Sequence, residues 1–133
     1  MSANSHTVLK VGLFGAGVVG GGVLDLVQRY TSNGKFQAYG ISVEVAKICV
    51  QSLDKTRDVL PSDGILVTTD HNEILNDPTI NCVIELIGGT TAARDIVMSA
   101  ISKGKHVITA NKALIANYLP EIEAALSANP NVR

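Results

Sequence analysis

Two groups of residues in this chain have the types and spacing to do chemistry. The first is Gly15, Gly17 and Gly20, a Gly-x-Gly-x-x-Gly pattern that follows directly on the apolar run Val8 to Phe14. A strand buried on both faces reads as such a run, so the glycines fall where a strand turns into a helix. Gly15 permits the sharp turn, Gly17 lets a pyrophosphate approach the backbone, and Gly20 lets the helix lie close against the strand. The amides of Ala16, Gly17, Val18 and Val19 then point outward from a helix start. Unpaired N–H groups at the positive end of the helix dipole bind phosphate there without a lysine. Gly20, Gly21 and Gly22 each cost about 1 kcal/mol against alanine inside a helix, which calls for a compensating steric reason.

The second group is Ala110-Asn111-Lys112. Lys112 opens a helix, where the macrodipole disfavours a cation by about 0.3–1 kcal/mol, and it follows a strand end. A lysine kept in such a place can bind or polarise a substrate oxygen; the alternative is a side chain that simply reaches solvent. Asn111 can cap the helix or contact a ligand.

The elements that must position these groups follow from periodicity and turn chemistry. Val19, Val23, Leu26, Val27 and Tyr30 recur at helical spacing, which predicts a first helix from Gly17 to Tyr30 and a polar loop over Thr31 to Lys35. Gly40 to Val50 predicts a long second strand and Ile65 to Thr69 a short third. Asp70 and Glu73 have the spacing of a capping box that opens a short helix, Asn72 to Asn76, which Asp77-Pro78 ends. Asn81 to Ile87 predicts a fourth strand before Gly88-Gly89, and Thr90 or Thr91 can cap a helix from Ala92 to Lys103. His106 to Thr109 predicts a fifth strand. A helical turn over 110–116 is then followed by a further helix with Pro120 at its first position, Glu121 and Glu123 suiting its positive end. Residues 129–133 read as a loop heading for another strand.

Strand and helix alternate throughout, so the expected class is α/β: a doubly wound parallel sheet, the Rossmann dinucleotide-binding fold. Its ligand crevice lies at the carboxyl ends of the strands. There Gly88 and Gly89 bring backbone close to a nicotinamide ribose, although Gly-Gly is also an ordinary turn. The end of the second strand selects the cofactor, an acid for NAD and basic residues for NADP. Here Gln51 carries no acid to the strand end and Lys55 and Arg57 follow, which leans towards NADP; a solvated turn is the alternative reading.

Glu85 interrupts an apolar strand, and a buried carboxylate needs partners. Either a structural role or a tuning of the site would supply them. Cys49 and Cys82 sit in core-like runs and read as buried thiols. His6 and His71 read as surface residues and His106 as a satisfied strand-edge residue. With 133 residues and 46% hydrophobic content the chain suits one core and one domain, behind a frayed tail at residues 1–7. A net charge of −1 without a basic stripe disfavours nucleic acid. No stretch has the length of a membrane span, and the expected location is the cytoplasm.

Three stretches together carry a resemblance. Residues 12–23 (Gly-Leu-Phe-Gly-Ala-Gly-Val-Val-Gly-Gly-Gly-Val), 83–90 (Val-Ile-Glu-Leu-Ile-Gly-Gly-Thr) and 104–116 (Gly-Lys-His-Val-Ile-Thr-Ala-Asn-Lys-Ala-Leu-Ile-Ala) resemble the N-terminal domain of homoserine dehydrogenase in order and spacing. The resemblance implies hydride transfer between L-homoserine and L-aspartate 4-semialdehyde with NAD(P). It implies pyrophosphate contacts at Ala16, Val18 and Val19, a nicotinamide-side contact at Thr90, and Lys112 as the active-site lysine. Gln51 departs from the arginine that commonly ends the second strand in NADP-using relatives. A substrate-binding and dimerising domain is expected beyond Arg133, so this stretch alone should bind cofactor without turnover, and the whole protein should be a homodimer. Two other classes compete: the cofactor domain of a different two-domain dehydrogenase, and a nucleotide-sensing module without catalysis.

Overall fold

The computed structural model describes residues 7–15, 18–51 and 65–133. The chain runs β1 (Thr7–Phe14), α1 (Val18–Ser32), α2 (Lys35–Ala38), β2 (Ile41–Cys49), β3 (Leu66–Thr68), α3 (Asn72–Leu75), β4 (Cys82–Glu85), α4 (Thr91–Ser102), β5 (His106–Thr109) and α5 (Lys112–Ala128). The five strands form one parallel sheet in the order β3-β2-β1-β4-β5. Successive connections therefore run outward from β1 on one side and, after β3, outward from β4 on the other. The order reverses between β1 and β4, and that gap is where an open α/β sheet leaves a crevice.

Burial follows the two faces of the sheet. Val11, Leu13, Ile48 and Ile84 pack with Leu24 of α1, whereas Phe14, Cys49 and Val83 pack with Ile74 of α3 and Ile96 and Ala100 of α4. A third cluster joins α4 to α5 through Ala93, Val97, Ile101, Leu114 and Ile122. β1 contributes to both sheet faces, which is why its sequence is apolar without alternation. Gly12 has a separate reason to be glycine: a Cβ there would stand 2.2 Å from Cγ2 of the buried Ile74, so α3 rests on bare backbone.

The polar loop expected over 31–35 is shorter than the sequence suggests. α1 continues to Ser32, and Gly34, in the left-handed region at φ 74°, turns the chain into the short helix α2. The capping box does not form, because His71 and not Asp70 takes the N-cap position of α3 and gives it no side-chain bond. Oδ1 of Asp70 accepts the Asn72 N–H at 2.9 Å, but the Asp70 N–H is taken by the Thr68 hydroxyl at 3.1 Å. The Glu73 carboxylate lies instead 3.8 Å from Lys47 Nζ on β2. An ion pair across the fold outcompetes the local reciprocal bond. The steric reason expected for the glycine run also fails at Gly22, where a Cβ would meet nothing within 4 Å. α5 contains the break that the sequence places over 117–119: Tyr118 has non-helical angles (φ −129°, ψ 17°), two residues before Pro120. At the far end the Val107 N–H donates to the Arg133 carbonyl at 2.9 Å, and Nδ1 of His106 accepts the Arg133 N–H at 3.1 Å.

Candidate functional site

The crevice is assembled from three strand exits. β1 ends at Phe14, and Gly15 turns away at φ 99°, where a side chain would be strained and its Cβ would lie 3.0 Å from the Leu86 carbonyl. The Gly15 N–H donates to the Cys49 carbonyl at 2.8 Å and the Leu86 N–H to the Phe14 carbonyl at 2.9 Å, so the exits of β2, β1 and β4 are locked together. Val18 and Val19 open α1, whose first N–H groups face this end of the sheet by the direction of a strand-turn-helix connection. Gly20 and Gly21 are buried within α1. Ala16, Gly17, Lys55 and Arg57 lie outside the described residues; Gln51 is exposed.

The second half of the site lies between the exits of β4 and β5. A cleft of about 330 Å³ is lined by Glu85, Leu86, Gly88, Ala110, Asn111 and Lys112. Gly88 and Gly89 both have positive φ (76° and 70°), and a Cβ at either would meet nothing within 4 Å. The backbone at this rim is bare on its open side. Asn111 holds the rim in place: its Nδ2 donates to the Gly89 carbonyl, and its Oδ1 accepts the Leu114 N–H at 3.0 Å as the N-cap of α5. Its expected use as a cap is thus present, and its amide in addition ties the loop after β4 to the start of α5. Thr90 is the N-cap position of α4 but gives it no side-chain bond. Lys112 is exposed at the first position of α5 and, among the described residues, has no ion-pair partner.

Glu85 is fully buried and its oxygens are both used. Oε1 accepts the Thr109 hydroxyl at 2.7 Å and Oε2 the Ile87 N–H at 3.0 Å, while the Thr109 hydroxyl accepts the Asn111 N–H at 3.0 Å. One carboxylate therefore joins the end of β4 to the end of β5, and through Thr109 to Asn111 and the start of α5. The partners that a buried carboxylate needs are therefore present, and they belong to the site. Sequence reasoning missed Thr109, which carries no local signal because its partner is 24 residues away. It also missed the clamp behind the rim, where Arg94 of α4 pairs with Glu121 of α5 and lies 5.3 Å from the Tyr118 ring. That bond draws the Glu121 charge to α4, so its partner is a guanidinium as well as a helix end.

Neither thiol takes part in this site. Cys49 and Cys82 are free and buried; burial, with a smaller contribution from Asp70, pushes the Cys49 thiol up to about 11, and burial raises Cys82 as well. Among the described residues no group of His, Cys, Asp and Glu is placed to hold a metal, and no helix is long and apolar enough to cross a membrane.

Residues 15–131 match the family described as homoserine dehydrogenase, NAD binding domain. The chain belongs to that family. A homoserine dehydrogenase of Synechocystis is 42% identical over 118 residues, covering 88% of this chain and 26% of the relative. One from Methylobacillus glycogenes is 44% identical over 108 residues, 81% of this chain and again 26% of the relative. The solved homoserine dehydrogenase of Thiobacillus denitrificans superposes with a TM-score of 0.83 at 41% identity, over 96% of this chain and 29% of that one. The chain thus spans about a quarter of the length of the curated relatives it matches. As the NAD-binding domain of this family, the sheet with its glycine turn is a Rossmann domain for a nicotinamide dinucleotide. The bare backbone at Gly88 and Gly89 fits such a ligand, because a side chain is absent there and close approach is open, while Gly15 supplies the turn.

Proposed function

We propose that this domain serves an enzyme interconverting L-homoserine and L-aspartate 4-semialdehyde with NAD(P), and that it seats the cofactor along the crevice. The pyrophosphate lies over Gly15 to Gly20, against the amides of Ala16, Gly17, Val18 and Val19, and the nicotinamide end lies in the β4–β5 cleft beside Gly88, Gly89 and Thr90. The observation that carries this reading is the convergence, on one side of the sheet, of a bare rim and a lysine without an ion-pair partner among the described residues. Glu85, Leu86, Gly88, Ala110, Asn111 and Lys112 meet around a single cleft, and Leu86 is bonded to the end of β1.

Bound there, the nicotinamide supplies a hydride acceptor. Asn111 fixes the separation of the two loops that flank it, and Lys112, the catalytic residue, presents its Nζ to the substrate hydroxyl. As hydride leaves the carbinol carbon, the hydroxyl proton passes to the Lys112 amine, and in the reverse direction the ammonium returns it to the aldehyde oxygen. Lys55 and Arg57, which follow β2 in the sequence, support use of NADP as basic residues suited to a 2′-phosphate. The remaining substrate contacts and a homodimer interface belong to a further domain of the whole protein, so residues 1–133 alone bind the dinucleotide without turnover.

L-homoserine-dependent reduction of NADP and NAD, followed in parallel by nicotinamide absorbance in the whole protein, tests the reading. Turnover with NADP favoured is the expected result. Binding of both cofactors without reduction of either would remove homoserine as the substrate while leaving the dinucleotide site.

A further inference from the structure

Glu85 combines three properties that a purely mechanical tie does not require. It is fully buried, both of its oxygens accept hydrogen bonds as an ionised carboxylate does, and among the described residues no cation pairs with it. Two strand ends can be joined through neutral groups, whereas a buried charge without a counter-ion carries a large desolvation cost. That cost is offset when a cation arrives next to the charge. Glu85 lines the β4–β5 cleft, so whatever enters between Gly88 and Lys112 meets its field through protein rather than through water. Lys112, the other charge of the cleft, is exposed, and solvent screens it.

We propose that Glu85 is the positioning residue that fits this cleft to the cationic, oxidised nicotinamide ring in preference to the neutral, reduced ring. The inference rests on the placement of the nicotinamide end in the β4–β5 cleft. Its hydrogen bonds to Thr109 and Ile87 set the gap that receives the ring, and its charge favours the form of the ring that is positive.

Three probes separate charge from structure: the oxidised dinucleotide, the reduced dinucleotide, and the matching ADP-ribose, which lacks nicotinamide. In the protein carrying Glu85→Gln the dissociation constant of the oxidised form should rise about tenfold, equivalent to about 1.4 kcal/mol. The reduced form should stay within about twofold and ADP-ribose should be unchanged. An equal loss for the oxidised and reduced forms, a loss for all three probes, or no loss for any would overturn the proposal. Thr109→Val provides the second variant, because it cuts the tie to β5 and keeps the charge. Both dinucleotides should then weaken together relative to ADP-ribose with their ratio preserved; a changed ratio or three unchanged affinities would overturn it. Should the wild-type protein bind ADP-ribose but neither dinucleotide more tightly, the placement of the nicotinamide end fails first.

Discussion

At the amino ends of β4 and β5, Lys105 donates from Nζ to the carbonyls of Asp77 and Ile80 at 2.7 Å each; at the carboxyl ends of the same two strands, Glu85 accepts from Thr109 and Ile87. These are the two buried charged side chains among the described residues, Lys105 4% and Glu85 0% exposed. The same strand pair is therefore tied at both ends by a buried charge, with opposite sign. The surroundings differ more than the ties do. Burial lowers the Lys105 ammonium from its ordinary value while the Asp77 carboxylate opposes that shift, and Asp77 is itself paired with Lys47 at 3.0 Å. At the other end, among the described residues, no cation answers Glu85 and Lys112 has no ion-pair partner, and Gly88 and Gly89 leave open space. One end is a closed polar cluster that holds the fold, and the other is a polar cluster that faces an open cleft.

Exchanging the two lysines breaks this comparison most sharply. Lys112→Met should leave unfolding free energy within about 0.5 kcal/mol of wild type, as an exposed substitution does, and lower turnover of the whole protein at least about 100-fold with cofactor affinity nearly intact. Lys105→Met should do the reverse: a loss of about 2 kcal/mol in urea denaturation, because two buried carbonyls lose their donor, with turnover per folded molecule unchanged. Equal effects from both variants would erase the distinction between the ends. Gly12→Ala, at the centre of β1, should cost about 1–3 kcal/mol, since its methyl collides with Ile74 and α3 must shift.

The smallest effect is the pH dependence of the closed end. The hydroxyl and amide of Thr79, and Lys47 beside them, hold the Asp77 carboxyl well below the usual carboxylate range. A folded-state value below the unfolded one, near 3.9, means that the unfolded chain binds the proton more readily. Asp77 thus contributes stability above about pH 4 and loses it as the pH falls towards its folded value. Asp77→Asn should cost about 1.5 kcal/mol at pH 7, and the difference from wild type should shrink below about pH 4 in thermal or urea unfolding. A difference that does not change between pH 7 and pH 3 would remove Asp77 from the cluster's stability.

Most of the fold is legible in the sequence because its signals are local. The apolar β1 run, the Gly15 turn, the helical spacing of α1 and α4, and the Lys103-Gly104 exit of α4 are each decided within a few residues. Lys112 is legible for the same reason, since its unfavourable place at a helix start follows from its neighbours. What escapes is long-range. Glu73 leaves its capping box for Lys47, 26 residues back in the chain, and Lys105 looks like any lysine after a helix-ending glycine until the loop before β4 folds over it. Thr109 reads as a strand residue, and only the pairing of Glu85 with Thr109 in the β4–β5 register turns it into part of the rim. α2 escapes for a different reason: four residues are too few to show a period.

Amide hydrogen exchange with and without NADP tests the division between the two ends most directly. Dinucleotide binding should slow exchange at the start of α1, at 86–90 and at 110–114, and leave the amides of 76–81 and 103–106 unchanged. Protection centred on 76–81 and 103–106, or binding that leaves both 86–90 and 110–114 untouched, would contradict the assignment of the open end to the cofactor.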